Sequence, residues 1–166
     1  VDGIDHPEKE KNIASLDYFA LEHKDVFLRY TTSLNMPWPV DAIIHMGGCS
    51  STVERDEVFL TKNNYDYTKL LATYALNKDI RFVYASSAAT YGSGENGFSD
   101  EVDLETLRPL NLYGHSKQNF DLWAQGQGAL DRIVGLKYFN VFGQSDIIKK
   151  KCEAWFVEDI CRYWRM

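Results

Sequence analysis

Residues 80–87 read IRFVYASS, an apolar run that ends in two serines. A short apolar run bounded by turn residues is typical of a buried β-strand. Residues 40–46, VDAIIHM, and residues 133–139, IVGLKYF, have the same character. The segment 54–77, which separates two of these runs, carries apolar side chains at helical spacing, namely Val58, Phe59, Tyr65, Leu70, Leu71, Tyr74 and Ala75. Strands that alternate with helices predict an α/β fold with a doubly wound, parallel, Rossmann-like sheet.

Small and polar residues follow each predicted strand. The segment 47–50 follows the first strand, Ser86 and Ser87 end the second, and Asn140 follows the third. Parallel sheets bind ligands beyond the carboxyl ends of their strands. We therefore predict a binding site where these segments meet. The alternative is that the turns themselves require small polar residues.

Tyr113 and Lys117 form a Tyr-x-x-x-Lys unit in a predicted helix that follows a polar loop over about residues 92–107. Residues four apart share one face of a helix. An ammonium group beside a phenol favours the phenolate, which can take a proton from an alcohol. The pair therefore indicates a base for alcohol oxidation. The alternative is a surface helix that carries a partly buried tyrosine.

Composition narrows the class of protein. The 166 residues suit one domain, and the net charge of −6 argues against nucleic-acid binding. We find no apolar run long enough for a membrane span and no signal segment at the start of the sequence. The scattered Cys49, Cys152 and Cys161, and the isolated histidines, show no metal-ligand spacing. These features predict a cytoplasmic protein without a metal site.

The start of the sequence lacks one feature of a dinucleotide-binding sheet. Such a sheet opens with a strand, a glycine-rich loop and a helix, and the sequence contains no such loop. Its first residues, Val1, Asp2 and Gly3, are typical of the end of a second strand. We therefore expect residues 1–143 to be a dinucleotide-binding domain without its first strand and glycine-rich loop. Residues 144–166 are expected to be a remnant leading to or from a substrate domain, with residues missing.

Three motifs are similar to those of the extended short-chain dehydrogenase/reductase superfamily, which includes the NAD-dependent epimerases and dehydratases. They are YASSAATYG at residues 84–92, PLNLYG at 109–114 and YFNVFG at 138–143. The segments GCSST at 48–52 and NNY at 63–65 also resemble cofactor-lining segments of these enzymes. The resemblance covers most of residues 1–143.

The resemblance implies an isomerase with tightly bound NADP, or NAD as the alternative. The implied substrate is an ADP-linked heptose or a related nucleotide sugar of lipopolysaccharide precursor synthesis. Its C6″ centre would be inverted by transient oxidation to a ketone and re-reduction. A homo-oligomer is also implied. Two alternatives stay open: another nucleotide-sugar epimerase or dehydratase, such as one acting on UDP-hexoses, and a non-catalytic binding protein on the same fold.

The resemblance also implies roles for individual residues. Tyr113, Lys117 and Ser87 match catalytic positions, and Ser87 and Asn140 match substrate contacts. Lysines near a 2′-phosphate would favour NADP, and an acidic residue at the end of the second strand would hold the adenosine ribose. The implied cofactor contacts are Asp2, Lys9, Lys24, Met46, Gly47, Gly48, Cys49, Ser50, Asn63, Lys117 and Val141.

The sequence departs from the superfamily pattern after residue 143. The usual loop is replaced by QSD at residues 144–146 and by three lysines at 149–151, so the second acid/base lysine is not assigned. Residues 155–160, WFVEDI, resemble a segment that lies much further along in the superfamily. This direct join supports the expectation of missing residues.

Overall fold

The computed structural model describes residues 1, 3, 13–14 and 16–141. The predicted features at Asp2, Lys9 and residues 144–166 lie outside this part of the chain.

Helices and strands alternate through the described residues, as predicted. In chain order they are α1 (Lys24–Thr32), β1 (Ala42–His45), α2 (Glu57–Leu60), a π-helical segment (Thr61–Asp66), α3 (Tyr67–Lys78), β2 (Arg81–Ser87), a 3-10 turn (Ala88–Tyr91), a second 3-10 turn (Leu104–Thr106), α4 (Leu112–Gly126) and β3 (Ile133–Tyr138). Within the described residues, no helix combines the length and the apolar character needed to cross a membrane.

The three strands form one parallel sheet in the order β1-β2-β3. Ile44 is paired with Val83, and Val83 with Val134. The parallel α/β architecture is confirmed, and the carboxyl ends of the strands meet at one edge. The segments 47–50, 86–87 and 139–140 therefore lie at that edge, as the order of the strands requires.

Helices α3 and α4 pack on the same face of the sheet. Thr68 of α3 contacts His45 of β1, and Phe120 of α4 packs edge-on against Tyr84 of β2 at 4.6 Å. The core lies between these layers, and Phe82 and Phe120 are each 1% exposed. On the opposite face, Ile44 is 69% exposed and Val134 is 52% exposed, so in the described residues this face carries apolar side chains without a covering layer.

The helix predicted over residues 54–77 forms, but its buried face was predicted wrongly in part. Val58 is 79% exposed, and Phe59 and Leu70 are also exposed. At about 100° per residue, Phe59 and Leu70 each lie about 100° around the helix from the buried Leu60 and Leu71, and Val58 lies about 200° from Leu60. Leu71, Tyr74 and Ala75 are buried as predicted, and the buried face also carries Leu60, Asn64, Thr68 and Ala72.

His45 ends β1 as a buried polar residue. Its Nε2 lies 3.0 Å from Thr68 Oγ1, and its ring stacks on Phe82. Burial disfavours the charged imidazolium and, with the nearby Lys117 ammonium, lowers the pKa of His45 from 6.5 to about 4. The imidazole is therefore neutral at physiological pH.

Gly92 ends the turn that follows β2. Its φ is +64°, and a Cβ there would overlap the backbone carbonyl oxygen of Arg108. Gly128 has a similar φ of +62°, but a Cβ there would meet no atom within 4 Å. The two glycines share a backbone conformation and differ in the space around them.

We predict that Gly92→Ala destabilises the protein more than Gly128→Ala does. Gly128→Ala carries the cost of a left-handed alanine, about 1–2 kcal/mol. Gly92→Ala adds a clash with backbone that cannot move without disturbing the turn, and we expect at least about 2 kcal/mol more. Urea unfolding measures both free energies, and equal losses would contradict the close approach of residues 92 and 108.

His45 generates a prediction about pH. Since its pKa is lowered in the folded state, the unfolded chain binds a proton that the folded chain does not as the pH falls from 6.5 to about 4. The contribution of the neutral His45 to the free energy of unfolding is complete above pH 6.5 and is lost as the pH falls from 6.5 to about 4. One pKa unit corresponds to about 1.4 kcal/mol, so we expect a loss of about 3 kcal/mol by pH 4.

The measurement is urea unfolding of the wild type, His45→Gln and His115→Gln at pH values from 7 to 4. His45→Gln should flatten the dependence, because glutamine does not titrate. The exposed His115 serves as the control, and its variant should follow the wild type. Parallel curves for all three proteins would exclude the assignment to His45.

Candidate active site

Ser87 lies at the end of β2, where the first 3-10 turn begins. Its Oγ accepts a hydrogen bond from the Ala89 N–H at 3.1 Å, and Thr90 Oγ1 donates to the Ser87 carbonyl at 2.8 Å. Ser87 therefore caps the turn, as the alternative interpretation of a serine at a strand end required. A hydroxyl that accepts one hydrogen bond can still donate its own proton. The contact of Ser87 with a substrate stays a prediction.

Lys117 is buried on the sheet-facing side of α4. Its Nζ donates to the Ala85 carbonyl oxygen at 2.8 Å, near the end of β2. Burial lowers the pKa of Lys117, while the charge of Asp121 and, to a lesser degree, Cys49 opposes that shift. A Cβ at Gly48 would lie 3.7 Å from this Nζ. The predicted catalytic lysine thus lies beside the predicted cofactor-lining segment.

Tyr113 is half-buried in the first turn of α4, the same helix that carries Lys117. Asn111 caps this helix by accepting a hydrogen bond from the Gly114 N–H at 2.7 Å. A Cβ at Gly114 would lie 2.9 Å from the Ala89 carbonyl oxygen. Only a residue without a side chain allows α4 to approach the turn after Ser87 this closely. The local sequence therefore brings the Tyr113 end of α4 next to Ser87.

Asn64 is a site residue that the sequence did not single out. It is 1% exposed, and its side chain accepts from the Cys49 N–H at 2.8 Å and donates to the Cys49 carbonyl at 3.0 Å. It also donates to Ser116 Oγ at 2.9 Å. Asn64 therefore fixes the segment after β1 against α4. Leu60, Asn64 and Thr68 are four residues apart and share the buried face of the helix. This spacing is the sequence signal that would have selected Asn64 rather than Asn63 as the inward-facing asparagine.

Gly48 lies directly against this amide. Its φ is +133°, and a Cβ there would lie 2.7 Å from Asn64 Oδ1. The backbone of this segment consequently has room only for glycine. Met46, Gly47 and Ser50 are exposed beside it and Cys49 is half-buried, so the segment offers open backbone at the strand edge.

Lys24 and Asn63, which were both predicted to contact the cofactor, are hydrogen-bonded to each other. Lys24 Nζ donates to Asn63 Oδ1 at 3.1 Å, and the Asn63 amide donates to the Phe59 carbonyl at 2.8 Å. Asn140 and Val141 follow β3, and both are exposed. Their contacts with substrate and cofactor stay predictions.

A buried carboxylate, Asp121, was also missed from sequence. It accepts hydrogen bonds from Tyr84 Oη and Ser86 Oγ, both at 2.8 Å, and forms an ion pair with Lys137 Nζ at 2.6 Å. Burial and Asp121 together raise the pKa of Tyr84, so its hydroxyl stays a donor. This network connects α4 with β2 and β3 in the interior of the protein, close to the carboxyl ends of the two strands.

A cavity of about 720 Å³ lies beside β3. Its wall includes Ser86, Tyr91, Phe98, Lys137 and Phe139. Gly48 and Lys117 are not part of this wall, so the cavity lies next to the site described above and does not contain it.

Comparison with known proteins agrees with this fold. The NAD dependent epimerase/dehydratase family matches residues 3–160. The ADP-L-glycero-D-manno-heptose-6-epimerase of Nitratidesulfovibrio vulgaris (strain DP4) is 47% identical over 150 residues, which cover 90% of this chain and 46% of that protein. The protein of the same name from Fusobacterium nucleatum is 42% identical over 153 residues, which cover 90% of this chain and 46% of that protein.

Solved structures of such proteins have the same fold. The crystal structure of the Helicobacter pylori ADP-L-glycero-D-manno-heptose-6-epimerase superposes with a TM-score of 0.67 at 28% identity, and covers 90% of this chain and 47% of that chain. The UDP-Glc/GlcNAc 4-epimerase of Campylobacter jejuni superposes with a TM-score of 0.62 at 23% identity, over 92% of this chain and 48% of that one. The chain spans about half the length of the relatives that it matches. The family match extends over most of the sequence, and the chain belongs to the NAD-dependent epimerase/dehydratase family.

Proposed function

We propose that this chain supplies the catalytic pair and part of the cofactor surface of an NADP-dependent epimerase that inverts C6″ of an ADP-linked heptose. One observation carries the proposal: the buried Lys117 ammonium lies between the end of β2 and the open backbone at Gly48, on the helix that carries Tyr113. The identity of the sugar rests on the relatives at 42–47% identity.

In this proposal Tyr113 is the base. Residues four apart on α4 share one face, so the Lys117 ammonium supplies the positive charge that a phenolate needs nearby. The phenolate removes the proton of the sugar hydroxyl at C6″ and returns it when the ketone is reduced. The hydrogen bond to Ala85 holds the ammonium in place throughout.

Ser87 orients the reacting oxygen. Its Oγ already accepts from the Ala89 N–H, so its own proton can be donated to the substrate oxygen. Asn140, which follows β3, contacts the sugar in this proposal. Residues at the end of β2, after β3 and at the start of α4 would thus hold the substrate oxygen and the C6″ carbon that carries it.

The segment after β1 fits a dinucleotide. Gly48 leaves space that a Cβ would fill against Asn64, and the exposed backbone of residues 46–50 can approach a flat ring closely. Lys24 donates to a neutral amide, so its charge is available to a 2′-phosphate, which favours NADP over NAD. Residues 46–50 and Lys117 would hold the nicotinamide cofactor, which would supply reversible hydride transfer at C6″ with no net redox change.

We predict that Tyr113→Phe abolishes epimerisation while dinucleotide binding persists. Phenylalanine keeps the ring and removes the hydroxyl, so we expect turnover of an ADP-linked heptose to fall about 100-fold or more. Dinucleotide affinity, measured by fluorescence titration, should change less than about threefold, because Lys117 and the segment 46–50 are intact.

Tyr18→Phe is the matched control, since Tyr18 is 49% exposed and its substitution removes the same hydroxyl from the surface. Unchanged turnover in Tyr113→Phe would reject the role of Tyr113. Turnover of UDP-hexoses in preference to ADP-linked heptose would leave the catalytic pair in place and reject the proposed substrate.

A further inference from the structure

Asp121 carries a charge in the interior of the protein. Its side chain is 3% exposed, and among the described residues it is the one carboxylate in the buried set. A buried carboxylate is costly unless it is paired and hydrogen-bonded. Tyr84, Ser86 and Lys137 provide that compensation with contacts of 2.6–2.8 Å. Removal of the carboxylate would therefore disturb all three partners together.

Hydrogen bonds connect the partners of Asp121 to the turn that begins at Ser87. Ser86 is the residue before Ser87, and it donates directly to Asp121. Lys137 donates both to Asp121 and to Thr90 Oγ1, the latter at 2.8 Å, and Thr90 Oγ1 donates in turn to the Ser87 carbonyl. Both sides of Ser87 are thus connected to a single carboxylate on α4.

Asp121 also lies one helical turn after Lys117. The two side chains share a face of α4, whereas Lys137 reaches the carboxylate from β3, at 2.6 Å. Lys117 Nζ donates instead to the Ala85 carbonyl, so the carboxylate acts on Lys117 as a nearby charge and on Lys137 as a direct partner. Burial lowers the pKa of Lys117, and Asp121 is the largest opposing influence.

The other ionisable groups near Lys117 come from different elements. His45 of β1 is neutral at physiological pH and so adds no negative charge, and Cys49, in the segment after β1, contributes less than Asp121 to keeping Lys117 charged. Tyr113 shares the same face of α4. Asp121 is thus the nearby negative charge that most strongly opposes the effect of burial on Lys117.

We propose that Asp121 is a positioning residue for the catalytic pair, which holds the turn of Ser87 against α4 and balances the charge of both Lys117 and Lys137. A buried ion pair by itself is weak grounds for a contribution to stability, so the proposed role is geometric and electrostatic. Its catalytic meaning rests on the proposed function, whereas its effect on Lys117 does not.

The test is an NMR titration of Lys117 in the whole chain labelled with 13C-lysine. The Lys117 signal is assigned by its loss in Lys117→Arg. In Asp121→Asn the titration midpoint of Lys117 should move to lower pH, because the ammonium loses its negative neighbour. In Lys137→Gln it should move to higher pH, because the charge of Asp121 then acts on Lys117 alone.

The opposite directions distinguish this role from a general loosening of the core, which would move both variants in the same way. Asp131→Asn removes an exposed carboxylate and should leave the midpoint unchanged. If Asp121→Asn does not fold, as thermal melting would show, Lys137→Gln decides the question: an upward shift with an unchanged melting temperature supports the role, whereas no shift, or a shift with a lowered melting temperature, overturns it. Absence of both shifts, or shifts in the same direction, would overturn the inference.

Turnover of an ADP-linked heptose is measured on the same variants. A displaced Ser87 turn should lower the turnover of Asp121→Asn about 100-fold, since displacement of a catalytic group by about 1 Å has an effect of that size. Dinucleotide affinity should stay near that of the wild type. If the wild type shows no turnover, the proposed function fails while the Lys117 titration still decides the inference.

Discussion

The hydrogen bond from the Lys117 ammonium to the Ala85 carbonyl is the interaction on which the site depends. It joins the middle of α4 to the carboxyl end of the central strand, inside the protein and away from bulk water. An ammonium group in such a place needs acceptors and negative charge. The surrounding residues provide them: a backbone carbonyl from β2 and the Asp121 carboxylate from the same helix.

Close approach of the backbone to another segment is the second constraint, and glycine satisfies it at three points of the site. Gly48 lies against the Asn64 amide, Gly114 against the Ala89 carbonyl, and Gly92 against the Arg108 carbonyl. The contacts of Gly114 and Gly92 bring the turn after β2 against α4 and its preceding loop, and the contact of Gly48 brings the segment after β1 against the π-helical segment. The result is that the ends of β1 and β2 and the start of α4 converge without bulky side chains between them.

The sequence predicted the features that depend on local patterns. Apolar runs indicated the strands, and the placement of Tyr113 and Lys117 on one helix was correct, because a capping asparagine and regular spacing define α4. The buried face of the helix over residues 54–77 was wrong for Val58, Phe59 and Leu70. Asp121 was missed because its partners Tyr84 and Ser86 lie 37 and 35 residues away, and such pairing follows only from the register of the sheet.

The π-helical segment Thr61–Asp66 has a consequence for how this chain can change in length. One residue fewer in this segment would restore regular α-helical winding, and every side chain before it would rotate by roughly 100° relative to α3. Where the deleted residue follows Asn64, Asn64 is among the rotated side chains and turns away from Cys49, although no residue type at the site has been altered. Such a deletion is therefore equivalent to the loss of a site residue, while substitutions on the exposed side of the same helix leave the winding intact.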